Sequence, residues 1–278
     1  MTKATSQLDL SKLRQDIDRI DTELHDLIME RAALMDSIAA AKKASTDQAF
    51  YLRPGREAHI QRRLWERHKS NFPLVSLLRM WREMINGMTS LQTDLKASFY
   101  PGDRPDRFTN LVSNQFGSAI PLLSKASPDE AFSLLETGGV TATVIPAPTN
   151  TELALWWRDF SAKRHEFSVI MRLPFARAGN IWPKDGGDRL ECFVISRGQP
   201  EQSGDDYTLL AAELTDPNWR PAEGSALSLM STDERFALLA LSGFHTEQSF
   251  QSALPSESHE MLTKVKVYGA YAAPIELS

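Results

Sequence analysis

From Leu13 to Lys42, apolar side chains recur every three or four residues, at Leu13, Ile17, Ile20, Leu24, Leu27, Leu34 and Ile38. Arg31 and Lys42 occupy two further positions of the same row. The spacing predicts a helix with one apolar face, interrupted twice by a cation. Asp9 or Ser11 offers its cap, and the polar stretch Ala44-Ser45-Thr46-Asp47 offers its end. Such a helix would be roughly 50 Å long at ~1.5 Å per residue. A small domain needs no element that long, so the helix is expected to lie against a second copy of itself. Pro54 then opens a second helix, expected from about Arg56 to Ser70, on which Glu57, Ile60 and Leu64 make a shorter row. After Asn71-Phe72-Pro73 a third helix is expected from about Pro73 to Lys96. Its row is Leu74, Leu77, Trp81, Met84, Met88, Leu91 and Leu95, with Gln92 at the edge.

The texture changes at Phe99-Tyr100-Pro101-Gly102-Asp103-Arg104-Pro105, a breaker cluster read as a linker. Beyond it, Val140–Ile145, Ser168–Met171, Glu191–Ile195 and Thr208–Ala212 read as strands, and Pro128–Thr137 and Glu152–Lys163 as helices. This mixture predicts an α/β domain. The expected organisation is therefore an all-α, three-helix dimeric bundle over 9–97, a linker over 98–105 and an α/β domain over 106–278.

Arg31, Lys42, Glu57 and Gln92 change the picture, because charged groups on core faces are costly unless paired or engaged by a ligand. Three helices directing such groups into one bundle point to a pocket for a small anion. Arg31 and Lys42 are eleven residues apart, about three turns, and share a side of the helix. Arg14 lies seventeen residues before Arg31, a rotation of roughly 100°. It is better placed to enter the pocket of a second copy, giving two sites each completed in trans. No Ser–His pair, His/Cys cluster or Gly-rich phosphate loop accompanies these groups, so neither covalent catalysis nor a metal or other cofactor is expected.

Composition narrows the classes further. A net charge of -5 gives no drive toward nucleic acid or acidic membranes. The single cysteine, Cys192, excludes an internal disulfide and fits a reducing compartment. The start MTKATSQLDL has no apolar core of a signal peptide, and no run nears the ~20 apolar residues of a membrane span. A soluble cytoplasmic protein is expected. Arg62-Arg63, Arg67 and Lys69 read as a solvated face, His25, His59 and His68 as surface residues, and Met80, Met84 and Met88 as packing.

The row Leu13-Arg14, Ile17-Asp18, Ile20-Asp21, Leu24, Leu27-Ile28, Glu30-Arg31, then Lys42, then Arg53-Pro54-Gly55-Arg56-Glu57, resembles the all-helical chorismate mutases, especially the form fused to prephenate dehydratase. The resemblance covers about residues 9–96. It implies a homodimer that rearranges chorismate to prephenate, with Arg31 and Arg14 from the second copy holding the two carboxylates. Lys42 and Gln92 would donate to the ether oxygen, and Glu57 would take the ring hydroxyl. Arg56 would support the carboxylate end, and the backbone around Arg53 would line the ring. Met88 stands where family members often carry a serine, which removes one substrate hydrogen bond.

Residues from about 106 onward resemble the catalytic domain of prephenate dehydratase through Pro128-Asp129-Glu130-Ala131-Phe132, Glu136-Thr137-Gly138-Gly139-Val140 and the closing Val265-Lys266-Val267-Tyr268-Gly269-Ala270-Tyr271. Two departures mark this domain as degenerate. Pro146-Ala147-Pro148-Thr149-Asn150 lacks the glutamate of the family's Pro-x-Glu-Asn-Ser segment. Leu190-Glu191 stands where the dehydratase carries Thr-Arg before a phenylalanine. The resemblance therefore implies a mutase with a non-catalytic second domain, which would bind an aromatic amino acid effector, contact another enzyme of the pathway or simply extend the dimer. Two alternatives are a bifunctional mutase–dehydratase and a catalytically silent dimerisation module on a ligand-sensing domain. Trp156-Trp157 is divided between core packing and an interaction surface, and Cys192 reads as a small buried hydrophobe.

Overall fold

The computed structural model describes residues 10–44, 52–148, 156–158, 160, 164–179, 182 and 189–277, with the side chains at 36 and 39–44 outside that description. The chain divides into two compact units, Met1–Ala49 and Phe50–Ser278. The first contains one helix, α1 (Leu10–Ala44), 35 residues long. Nothing in that stretch is Gly or Pro, so no residue in it interrupts the i→i−4 ladder. Arg19 Nη1 donates to Glu23 at 2.6 Å, an i,i+4 pair that supports the helix on its polar side. The apolar row from Leu13 to Ile38 is 41–60% exposed in the single chain, where a buried seam would be near zero.

The second unit opens with α2 (Pro54–Arg67), whose first position is a proline that needs no hydrogen-bond acceptor there. It continues with α3 (Leu74–Ser90), which stops short of the expected Lys96 because Leu91–Thr93 turn away. A nine-stranded mixed sheet follows. Its strands are β1 (Ala97–Phe99), β2 (Leu122–Ser124), β3 (Ala142–Pro146), β4 (Ser168–Leu173), β6 (Cys192–Ser196), β7 (Asp206–Leu214), β8 (Leu227–Asp233), β9 (Phe236–Ser242) and β10 (Leu262–Ala272). Their order is β2-β1-β3-β6-β4-β10-β7-β9-β8. β1 is parallel to both neighbours and β10 is parallel to β4, while the remaining pairs are antiparallel. A separate ribbon pairs β5 (Ala176–Arg177) with β11 (Ile275–Glu276).

Successive side chains on β3 and β6 point to opposite faces of the sheet. Val144, Cys192 and Val194 pack with Phe108, Leu111, Val112 and Phe116 of α4 (Pro105–Phe116). Ile145, Phe193 and Ile195 pack with Phe132 and Leu135 of α5 (Pro128–Glu136), together with Trp157 and Phe160. Ser127 caps α5 by accepting from Glu130 N at 3.2 Å. All-α followed by α/β is thus the architecture, with α5 and four of the strands close to where the pattern placed them.

Two sequence expectations change. The breaker cluster Tyr100–Arg104 joins β1 to α4 inside the α/β unit, because a tight strand-to-helix turn uses the same Pro, Gly and Asp residues as a linker. Met80 is 56% exposed rather than packed. The expected helix over 152–163 lies mostly outside the described residues.

Candidate functional site

On α1, Arg14 is exposed and Arg31 half-buried, while the side chain of Lys42 lies outside the described residues. The helix is continuous between Arg31 and Lys42, so the three-turn relation expected between them is kept in the backbone. Arg53, Arg56, Glu57, Met88 and Gln92 belong to the second unit.

Glu57 sits in the first turn of α2, where its backbone N–H donates to Arg53 O at 2.9 Å. Its side chain is 8% exposed. Burial pushes its carboxyl up to about 7, Arg82 pulls it down, Glu201 pushes it up again, and a hydrogen bond with Gln115 lowers it. Burial in turn brings Arg82 down to about 10 against the favourable charge of Glu57. The Arg82 guanidinium donates to Asn114 O at 3.1 Å and to Gln61 Oε1 at 2.8 Å. Beside it Asn86 Nδ2 donates to Gln115 O at 2.7 Å. A cavity of about 20 Å³ adjoins Glu57, room for about one water-sized molecule.

The other candidates on α2 divide between the sheet and solvent. Arg53 pairs with Glu201, and Arg56 is exposed. A Cβ on Gly55 would meet Gln202 O and Glu201 Cβ at 2.8 Å, so α2 approaches that loop as closely as a glycine permits. Arg62, read as part of a solvated face, instead donates to Ser203 O and Oγ, Asp205 O and Ala273 O at 2.7–3.0 Å. A long guanidinium spans the gap to these carbonyls, which a periodicity argument about charge does not register. Arg63, Arg67 and Lys69 are exposed as expected.

On α3, Met88 is 5% exposed, and Gln92, just past the helix, donates through Nε2 to Met88 O at 3.3 Å. The buried face of α3 carries Leu78, Arg82 and Asn86, whereas Leu74, Leu77, Trp81 and Met84 are only half-buried. Both helices therefore dock on the sheet unit largely through polar side chains and leave their apolar rows less covered. Arg82, Asn86, Gln115 and Glu201 were not singled out from sequence. The i, i+4, i+8 recurrence of Leu78, Arg82 and Asn86 was the one signal available for them.

A second opening lies entirely within the sheet unit, at the carboxyl ends of β1 and β3. Its volume is about 430 Å³, in the range of small-molecule sites. Glu191, at its wall, accepts from Arg172 Nη2 at 2.6 Å and from Arg177 Nη2. Arg177 also donates to Glu276 at 2.7 Å, and Arg189 lies over the Trp182 ring at 5.1 Å. Tyr271 meets the Phe193 ring at a tilt, and burial raises its phenol pKa. Trp156 and Trp157 are core residues: Trp157 is 1% exposed, and Trp156 meets Phe132, Phe160 and Phe193 edge-on or tilted. Cys192 is fully buried with its thiol pKa pushed well up by burial, which suits packing and not nucleophilic chemistry. Among the described residues no cluster of three metal-ligating side chains occurs, and no helix is long and apolar enough to cross a membrane.

Helices that carry cations and a buried carboxylate are followed by a mixed sheet with an arginine-lined opening, which defines the class as all-α followed by α/β. Residues 13–93 match the family described as chorismate mutase type II, and the N-terminal part of the chain is a domain of that kind. Curated relatives include the bifunctional chorismate mutase/prephenate dehydratase of Stutzerimonas stutzeri, 30% identical over 149 residues. That match covers 52% of this chain and 40% of the relative. The protein of the same description from Pseudomonas aeruginosa is 28% identical over 150 residues, with the same coverage. The chain thus aligns with about 40% of the length of the curated relatives it matches. Among solved structures, a prephenate dehydratase from Arthrobacter aurescens in complex with L-Phe aligns with 66% of this chain and 93% of its own. The TM-score of that alignment is 0.43 and the identity 12%.

Proposed function

We propose that the protein is a cytoplasmic, homodimeric chorismate mutase of aromatic amino acid biosynthesis, and that its α/β domain is non-catalytic. The observation that carries this reading is the family match over 13–93, with Arg31, Lys42, Arg56-Glu57 and Gln92 at the family's spacing within it. Arg31 and Arg14 from the second copy grip the two carboxylates and select the compact conformer in which the reacting carbons meet. As the C–O bond lengthens, negative charge grows on the ether oxygen, where Lys42 and Gln92 donate. Glu57 accepts from the ring hydroxyl, Arg56 supports the carboxylate end, and the Arg53 backbone lines the ring. Met88 contributes an apolar wall and no hydrogen bond. A millionfold acceleration requires roughly 8 kcal/mol from positioning and charge stabilisation together.

Two features shape the reading. Glu57 must be released from its side-chain hydrogen bond with Gln115 to meet a substrate. Glu191, held by Arg172 and Arg177, places a carboxylate where a dehydratase would need to attract one. The mutase match ends at residue 93, and the α/β domain begins with β1 at Ala97.

The test is loss of chorismate absorbance with the purified chain, followed by assay of phenylpyruvate with and without acid treatment. Chorismate loss with phenylpyruvate only after acid is the expected result. Phenylpyruvate without acid establishes the bifunctional enzyme instead, and no chorismate loss leaves a dimeric binding protein. Lys42→Ala should lower kcat by about 100- to 1000-fold, the usual range for removing one transition-state donor. An unchanged kcat would remove Lys42 from the site.

A further inference from the structure

The mutase reading needs the Glu57 carboxylate at a substrate, and the sheet domain helps to cover it. Glu57 is 8% exposed, and a side-chain hydrogen bond joins it to Gln115 of α4. The cavity beside it measures about 20 Å³, whereas small-molecule sites have about 300 Å³ or more. Its walls include Gln115 and, from β4, Ile170, Met171 and Leu173. A ring with two carboxylates has no room there. Burial also pushes the Glu57 carboxyl up to about 7. Near neutral pH it is then charged in only about half of the molecules, a poor state for an acceptor.

The covered arrangement is latched at two points along α2. Near its start, Gly55 lets the helix come so close to the following loop that a Cβ would meet Gln202 O and Glu201 Cβ at 2.8 Å. Two turns on, Arg62 donates to Ser203 O and Oγ, Asp205 O and Ala273 O. The Arg53–Glu201 ion pair adds to the first point. Water can replace each of these polar partners when the face opens, which keeps the covered state reversible.

We infer that the docking of α2 on the sheet domain is an autoinhibitory contact, which withdraws Glu57 from the mutase site so that substrate competes with the sheet domain for that helix. The inference rests on the mutase reading. A chain whose competent state is only fractionally populated binds with its intrinsic Kd divided by that fraction. Loosening the latch therefore lowers KM and leaves kcat, which is read on saturated enzyme, as it is. A merely structural role for the same contacts predicts the opposite sign, because the helix that carries Glu57 then loses its support and turnover falls.

The experiment is steady-state chorismate turnover by the full chain, with hydrogen exchange of α2 and of the 201–205 loop, for wild type, Arg62→Ala and Gly55→Ala. The first variant removes the donor of the latch. The second wedges the helix off the loop while favouring the helix itself, so a folding defect in one variant leaves the other to decide. Both should raise exchange in α2 and the loop, and both should lower KM by about fivefold or more at unchanged kcat, as for a competent fraction of about 0.2 or less. Raised exchange with KM unchanged or higher, or with kcat lowered, would overturn the autoinhibitory role and leave the mutase reading standing. Unchanged exchange in both variants would overturn the latch. No turnover by any of the three proteins, with exchange raised in the variants, would instead refute the mutase reading, and the inference would fall with it.

Discussion

Glu57 has a carboxyl raised to about 7 because its burial outweighs the attraction of Arg82. Between its ordinary value of 4.5 and about 7, the folded chain holds a proton that the unfolded chain has released. Stability therefore falls as pH rises through that window, and this residue accounts for about 3 kcal/mol of the fall. Glu57→Gln should remove the fall, so its stability advantage over wild type should grow from pH 4.5 to pH 8. Urea unfolding of both proteins at each end of the window checks this, and parallel curves would show that Glu57 titrates normally. The sequence announced Glu57 through its place in an apolar row, but its neighbours lie 25 to 144 positions away along the chain and share no pattern with it. The exchange at Leu190-Glu191 was legible as a change of charge. That Glu191 would bridge two arginines was not, since Arg172 and Arg177 reach it from another strand and a ribbon.

At the scale of elements, periodicity located the three helices and most strands of the first half of the sheet, and it misjudged which faces were covered. Rows of Leu, Ile and Met on α2 and α3 read as buried, and Met88 is, yet Leu74, Leu77, Trp81 and Met84 are only half-buried while Glu57, Gln61, Arg82 and Asn86 are covered. Hydrophobic spacing reports a helix reliably, but a face satisfied by long-range hydrogen bonds leaves no spacing signal. Arg62 is the principal tie, with three carbonyl oxygens and a hydroxyl as acceptors. Arg62→Ala should cost roughly 2–4 kcal/mol, because those acceptors lose a charged donor. Hydrogen exchange should then rise in α2 before it rises in the sheet. Unchanged protection of α2 would mean that Gly55 and the Arg82 cluster suffice to hold it. The β8–β9 hairpin escaped sequence reading because β9, Phe236–Ser242, is a short continuous apolar run, which periodicity alone does not assign to a strand.

For the whole molecule, α1 poses the largest question of assembly. Seven apolar side chains of one row, 41–60% exposed, form a surface that a lone chain in water would be expected to cover. The homodimer proposed above covers it with a second copy, which also brings Arg14 within reach of the other site. Leu24→Asp, near the middle of the row, should shift the protein toward monomer in sedimentation velocity and lower mutase turnover in parallel. A dimer that persists through this change would place the contact on another surface.

β10 lies between β4 and β7, so the sheet's last strand in chain order among the described residues joins its two halves. Arg62, near the beginning of that unit, takes one of its acceptors from Ala273, immediately after β10. On the ribosome, α2 emerges some two hundred residues before the carbonyl it needs. Its docking face therefore waits, polar groups solvated, until Ala273 leaves the exit tunnel. Any nonsense codon ahead of residue 262 would then release a chain whose sheet is in two pieces and whose α2 has lost one of its anchors, a product for quality control.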